Sequence, residues 1–154
     1  MGKRKLRIAK TDVDHLVSNL RGEIGEVITS WLLLRRLMTE SARLSSDDPV
    51  KDGESRELAT LNLMKERFRD DLVARPSELA EEKIGQLTFY FAAQKLDLFH
   101  DDVTAFAKYV VKHGLREKRN RDVSHKELPE TRTDHRHLHV SYKALVCATA
   151  QAIR

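Results

Sequence analysis

The feature that most constrains the fold is an unbroken stripe of apolar residues near the start of the chain. Its members are spaced alternately four and three residues apart, and they are Val13, Val17, Leu20, Ile24, Val27, Trp31, Leu34 and Met38. This heptad spacing places them on one face of a helix, so it predicts one long helix from about residue 12 to about residue 44. Leu32, Leu33 and Leu37 widen the apolar face. We therefore expect this helix to pack on more than one neighbour.

Two glycines, Gly22 and Gly25, lie inside the same predicted helix. Each costs about 1 kcal/mol of helix stability relative to alanine. Such glycines commonly occur where another helix approaches closely. The sequence therefore predicts a close helix contact at this level of the first helix.

The rest of the chain predicts more amphipathic helices and no sheet. Residues 45–53 have a loop composition, and a second helix is expected to end before Pro76. Ser77 is then the expected N-cap of a third helix, because acids follow it in the first turns, where the helix dipole favours them. A fourth helix is expected to start near Asp101, unless it forms one bent helix with the third. A final helix is expected over about residues 134–153. The sequence therefore predicts an all-α bundle of four or five helices.

Length and charge suggest one domain with a charged partner. The chain has 154 residues and a net charge of +4, and its first ten residues hold five Lys or Arg and no acid. We expect residues 1–10 to form a basic tail and residues 11–154 a single helical domain. A second basic patch, residues 108–126, holds seven basic residues against Glu117 and Asp122. The two patches predict contact with phosphate groups, most simply nucleic acid. The alternatives are a solubilising tail and a cation cluster at a helix C-terminus.

The apolar segments of the sequence do not predict membrane association or secretion. No apolar run approaches the ~18 residues that span a bilayer, and no apolar signal region follows the basic start. The single cysteine, Cys147, excludes an internal disulfide, and its apolar surroundings predict a buried core thiol. We therefore expect a cytoplasmic protein without a membrane partner.

A candidate catalytic motif lies between the last two predicted helices, in the segment REKRNRDVSHKELPE, residues 116–130. Here Arg119 and Asn120 are followed, after four residues, by His125. This pattern resembles the signature of HEPN domains, which have an Arg, a polar residue that is often Asn, a short spacer and a His. HEPN domains are all-α bundles of roughly this length. The resemblance covers the chain in its predicted architecture and about seven residues in the motif.

The spacing from Arg to His is not specific by itself in this sequence. It also occurs from Arg132 to His137 and from Arg132 to His139. Asn120 favours the first match, because it directly follows the arginine, whereas Thr133 follows Arg132. The position between two helices and the surrounding basic patch favour it as well.

The resemblance implies a metal-independent endoribonuclease that leaves a 2′,3′-cyclic phosphate and a 5′-hydroxyl. In that chemistry His125 transfers protons near neutral pH, Arg119 binds phosphate oxygens, and Asn120 orients the His or binds the phosphate. No metal or other cofactor is implied. Family members usually form homodimers in which two motifs face one cleft, and many are toxins or defence effectors held in check by an antitoxin or another regulatory protein. The expected substrate-binding residues around the motif are Arg116, Lys118, Arg121 and Lys126.

Helical geometry leaves the role of Arg119 open. In a continuous helix Arg119 and His125 would lie about 240° apart, whereas Arg121 would share the face of His125. Three possibilities follow: the helix breaks between Arg119 and His125, a second subunit completes the site, or Arg121 is the phosphate ligand.

Further alternatives concern Glu26, the later histidines and the class of protein. Glu26 is expected on a solvated flank of the first helix, and the alternative is that it supports an Arg or His of the motif. His135 and His139 share a helix face near Asp134, which suggests zinc, but a polar helix start is the favoured interpretation. The alternative to an enzyme is a non-catalytic helical module that binds nucleic acid or protein.

Overall fold

The computed structural model describes residues 10–46, 52–120 and 141–152. These residues form helices joined by turns, with no strand among them, which confirms the predicted all-α fold. The helices are α1 (Lys10–Ser46), α2 (Asp52–Leu79), α3 (Phe89–Leu96), α4 (His100–Lys112), the single turn α5 (Leu115–Lys118) and α6 (Tyr142–Gln151).

The long helices α1 and α2 pack antiparallel along each other, and α6 contacts both. Their shared core is formed by apolar side chains from all three helices, namely Val27, Leu34, Leu72 and Val146, with Trp31, Phe68 and Tyr142 packed against them. A second core lies where α3, α4 and α5 pack against the same helices. It contains Phe89 and Phe106, whose rings meet edge to face at a centroid distance of 5.3 Å. Burial of these apolar surfaces is the main favourable term in the stability of such a bundle.

The first helix is longer than predicted and leaves part of its apolar face exposed. It has 37 residues, whereas α6 has only ten, so α6 covers only part of it. Leu32 is 56% exposed and Leu33 40%, and Met38, the last member of the heptad stripe, is also exposed. Among the described residues of one subunit, the prediction that Gly22 and Gly25 mark a close helix contact is wrong, because a Cβ at either position would meet nothing within 4 Å.

The boundary between the second and third helices differs from the prediction. The second helix does not end before Pro76 but continues to Leu79. Proline removes one backbone donor from a helix, yet the Pro76 ring is fully buried, so its packing offsets that loss. Ser77 is buried inside α2 and is not an N-cap. The N-cap of α3 is Thr88, whose Oγ1 accepts a hydrogen bond from the Phe91 backbone N–H at 3.1 Å.

A turn of residues 80–88 occupies the stretch predicted as the start of the third helix. Gly85 has φ +83°, a left-handed conformation that only glycine adopts readily, so a helix cannot continue through this position. Asp97 caps the end of α3 with φ 54°, and α4 begins at His100. The third and fourth helices are therefore separate elements.

The last helix begins later than predicted. Ser141 is its N-cap in an extended conformation, so α6 starts at Tyr142 and not near residue 134. Cys147 is exposed, which contradicts the predicted core thiol. The reason is helical: Leu145 and Thr149 occupy the buried face, and Cys147, two residues from each, lies on the opposite side. Within the described helices, none has the length and apolar character to cross a membrane.

Candidate functional site

The candidate site is built on α5, the short turn that follows α4. Gly114 has φ 65°, which lets the chain end one helix and begin the next. Leu115 is completely buried in the core and anchors α5 against α2 and α4. The backbone is still helical at Arg119, with φ −56° and ψ −48°. Arg119 lies four residues after Leu115, so both side chains lie on the same inward face.

The guanidinium of Arg119 is held by two side chains. Nη1 donates to Oε1 of Glu81 at 2.5 Å, while Nε and Nη2 donate to Oδ1 of Asn120 at 3.2 and 3.1 Å. An arginine has five N–H donors, so these contacts leave one donor on each of the two terminal nitrogens. The Arg119 side chain is only 15% exposed. Its orientation is therefore set before any ligand binds, and it keeps two donors for an anion.

Glu81 pairs with two cations at once. Its Oε1 accepts from Arg119, and its Oε2 forms an ion pair with Nζ of Lys83. Burial raises the pKa of this carboxyl, but the hydrogen bonds and charges of Lys83 and Arg119 outweigh burial and hold the pKa below its ordinary value of 4.5. Glu81 is therefore ionised at neutral pH.

An open cleft of about 360 Å³ lies beside this cluster. It is lined by residues of α1, α2, the turn 80–88 and Arg119, namely Glu23, Arg75, Glu78, Leu79, Glu81, Lys83, Gln86, Leu87, Thr88 and Arg119. Three of these side chains are acidic and three are basic. The cleft is therefore polar and near neutral in total charge, with cations at separate positions along it.

Arg75 forms the other charged wall of the cleft. Its Nε donates to Oδ1 of Asp71 at 2.7 Å and its Nη1 to Oε2 of Glu23 at 2.9 Å. Ser30 completes the network by donating to Oδ2 of Asp71 at 2.5 Å. Burial lowers the pKa of Arg75, but the hydrogen bonds and charges of Asp71 and Glu23 outweigh burial and raise it. The network joins α1 to α2 beside the cleft. Local sequence does not predict it, because its contacts between the two helices join residues 41 and 52 positions apart in the chain.

Arg119 and Asn120 are neighbours in the chain, and their side chains are hydrogen-bonded to each other. Arg116 is exposed on α5 and Lys118 is half-buried, and neither lines the cleft. Glu26 is exposed on α1, and the residue of α1 that lines the cleft is Glu23. The carboxylate that holds Arg119 is Glu81, so Glu26 does not support this arginine within the subunit.

Several predicted residues lie outside the described residues. These are the motif residue His125, the predicted substrate-binding residues Arg121 and Lys126, the alternative Arg132 matches, the His135–His139 cluster and most of the basic tail. Within the three described ranges, no group of three or more His, Cys, Asp or Glu side chains is arranged to bind a metal.

The observations that bear on function are the geometry around Arg119 and the residue pattern between Arg119 and His125. Comparison with protein-family models, with curated proteins and with solved structures finds no match to this chain.

Proposed function

We propose that this chain is a metal-independent endoribonuclease of the HEPN type, with Arg119, Asn120 and His125 as its catalytic residues. The observation that carries the proposal is the state of Arg119. Its guanidinium is fixed at the edge of an open cleft by Glu81 and Asn120, and these contacts among the described residues leave one donor on each terminal nitrogen. Two donors in a planar fork match two oxygens of a phosphate group.

In the proposed reaction the ribose 2′-oxygen attacks the adjacent phosphorus and the bond to the 5′-oxygen breaks. His125 takes the proton from the 2′-hydroxyl or gives one to the leaving 5′-oxygen, since a histidine can do either near neutral pH, and water makes the other transfer. Arg119 stabilises the negative charge that develops on the phosphate oxygens. The oxygen of Asn120 is used by Arg119, so its amide nitrogen is the group that remains for a phosphate oxygen. The products are a 2′,3′-cyclic phosphate and a 5′-hydroxyl.

The proposal includes a homodimer whose two motifs share one cleft. It is supported by apolar side chains that the described part of one subunit leaves exposed on both long helices. Leu32 and Leu33 are exposed on α1, and on α2 Leu63 is 73% exposed and Met64 is also exposed. Exposed apolar surface of this kind is typical of protein interfaces. Sedimentation equilibrium tests this point, since a strict monomer at micromolar concentration contradicts the shared site.

The test of the enzymatic proposal is cleavage of a structured RNA in the presence of EDTA. Wild-type protein is expected to cut the RNA and leave cyclic phosphate ends. His125→Ala is expected to lose cleavage and Arg119→Ala to lose most of it, and both variants are expected to remain folded. Loss of cleavage in Arg121→Ala, with activity retained in Arg119→Ala, would make Arg121 the phosphate ligand. A requirement for a divalent metal contradicts the proposed mechanism and returns attention to the His135 cluster.

The biological role that fits the resemblance is a cytoplasmic toxin or defence effector restrained by an antitoxin or another regulatory protein. Induced expression of the wild-type chain in bacteria is then expected to stop growth and degrade RNA. Expression of His125→Ala at the same level is expected to do neither. Equal growth of both cultures contradicts the toxin role.

The alternative is a non-catalytic helical module that binds nucleic acid or protein. The observation that favours it is that each cation lining the cleft is already paired with a carboxylate: Arg75 with Glu23, and Lys83 and Arg119 with Glu81. Such pairs also serve purely to hold helices together. RNA binding without cleavage in the experiment above supports this alternative.

A further inference from the structure

Glu81 lies in a turn whose backbone is tied at both ends. Before it, the Ala80 N–H donates to the Pro76 carbonyl at 3.1 Å, and the Glu81 N–H donates to the Glu78 carbonyl at 3.1 Å. After it, the Thr88 hydroxyl donates to the Lys83 carbonyl at 3.1 Å while capping α3. The turn is therefore fixed to the end of α2 and to the start of α3, and it presents the Glu81 carboxylate from a defined position.

The Glu81 contact adds an anchor that Asn120 alone does not provide. Asn120 holds Nε and Nη2 of Arg119, but it is the next residue in the chain and is itself exposed. Glu81 holds Nη1 from a separate element, 38 residues away in sequence, and its side chain is only 10% exposed. An arginine that is already oriented loses less conformational entropy when it binds a ligand than a mobile one.

Lys83 offsets the negative charge that Glu81 places beside the site. A lone Glu81–Arg119 pair would have no net charge and would attract phosphate weakly. With Nζ of Lys83 on the second carboxylate oxygen, the three side chains together carry a net charge of +1. The cluster therefore holds the arginine and remains cationic.

We infer that Glu81 is a positioning residue, which orients Arg119 for phosphate binding, and that Lys83 keeps the oriented pair attractive to the RNA backbone. This inference rests on the proposed ribonuclease function. Glu81 does not contact the RNA in this arrangement but acts through Arg119. The competing role predicts the opposite effect on cleavage. If Glu81 merely competed with phosphate for Arg119, it would inhibit RNA cleavage, and its removal would increase cleavage.

The first test measures kcat/KM for RNA cleavage in EDTA. Glu81→Ala is expected to lower it by about 10- to 100-fold, because a misplaced catalytic group commonly costs that much. Glu81→Gln keeps an acceptor for Nη1 and is expected to lose less. Glu82→Gln is the matched control, since Glu82 is the exposed neighbour and does not line the cleft. Lys83→Gln is expected to raise KM more than it lowers kcat.

Whether the effect of Glu81→Ala depends on Arg119 distinguishes a positioning role of Glu81 from a general loss of folding. In the Arg119→Ala background, Glu81→Ala is expected to cause no further loss of residual activity. An equal loss in both backgrounds overturns the inference, and so does unchanged or increased cleavage in Glu81→Ala.

A measurement independent of cleavage keeps the inference testable if the wild type does not cut RNA. The Nη1–H signal of Arg119 in a ¹⁵N spectrum, assigned with Arg119→Lys, is expected to be sharp in the wild type and in Glu82→Gln, because Nη1 donates to Glu81. It is expected to be broadened or lost in Glu81→Ala. A signal that is equally sharp in Glu81→Ala overturns the positioning role, whereas absent cleavage with the expected signals overturns only the ribonuclease function.

Discussion

Arg75 of α2 donates from Nη1 to Oε2 of Glu23 on α1 at 2.9 Å, which joins two residues 52 positions apart in the chain. The same guanidinium bonds Asp71 on its own helix, and Asp71 in turn accepts from Ser30 of α1. The two long helices are thus connected by charged hydrogen bonds in addition to their apolar core. Since Arg75 and Glu23 also line the cleft, the network fixes the part of its lining that α1 and α2 supply.

Removing the Arg75 guanidinium is expected to destabilise the fold. In Arg75→Met the partly buried carboxylates of Glu23 and Asp71 lose their partner, which we expect to cost about 1–3 kcal/mol of unfolding free energy. The control is Arg69→Met on the same helix, whose partner Glu66 is 65% exposed, so this pair should contribute less than about 1 kcal/mol. Urea denaturation at pH 7 measures both. Equal effects of the two substitutions contradict a stabilising role for the network.

The lowered pKa of Glu81 predicts a specific dependence of stability on pH. Because the folded pKa lies below the ordinary value of 4.5, the contribution of the ionised carboxylate is present above pH 4.5 and is lost as the pH falls through the folded pKa. The wild type is therefore expected to be more stable than Glu81→Gln at neutral pH, and the difference should shrink as the pH falls below 4.5. Denaturation curves across this range measure it, with Glu82→Gln as the control. If the stability difference between the wild type and Glu81→Gln grows as the pH falls, the lowered pKa of Glu81 is contradicted.

The pattern of apolar residues predicted the helical fold because heptad spacing depends only on local geometry. Pro76 and Gly85 lie where the predicted end of the second helix and the predicted start of the third helix were wrong. A buried proline ring stabilised a longer α2 against the usual preference, and tertiary burial of this kind is not visible in local sequence. Gly85 indicates the turn of residues 80–88, since glycine accommodates a positive φ. The acids after Ser77 indicate a helix start more strongly, and the predicted boundary followed them.

The candidate site was predictable only where its members are neighbours in the chain. Arg119 and Asn120 were found because the motif places them side by side. Glu81 was predicted only as an acid in a first helical turn, since its contact with Arg119 spans 38 residues. Without an observed partner, the sequence contains nothing that distinguishes Glu81 from Glu78 or Glu82.

Thr88 is expected to connect the stability of α3 to the position of the turn 80–88. Its hydroxyl accepts from the Phe91 N–H and donates to the Lys83 carbonyl, and the side chain is buried. Thr88→Val keeps the shape but removes both hydrogen bonds, so we expect a loss of about 1–2 kcal/mol of unfolding free energy. Thr88→Ser keeps the hydroxyl and is expected to retain most of the stability. Thermal unfolding distinguishes the two, and a larger loss in Thr88→Ser than in Thr88→Val would mean that the methyl group, and not the cap, is what matters.

Alanine at Gly22 or Gly25 is expected to stabilise the protein. Both glycines lie inside α1, and a Cβ at either position meets nothing within 4 Å. Each Gly→Ala substitution should therefore add about 0.5–1 kcal/mol of unfolding free energy, because glycine loses more backbone entropy on folding than alanine. Urea denaturation of both variants measures the gain, and sedimentation equilibrium measures self-association in the same samples. A variant that weakens self-association would show that another subunit approaches α1 at these glycines. A variant that is less stable than the wild type, with self-association unchanged, contradicts the prediction.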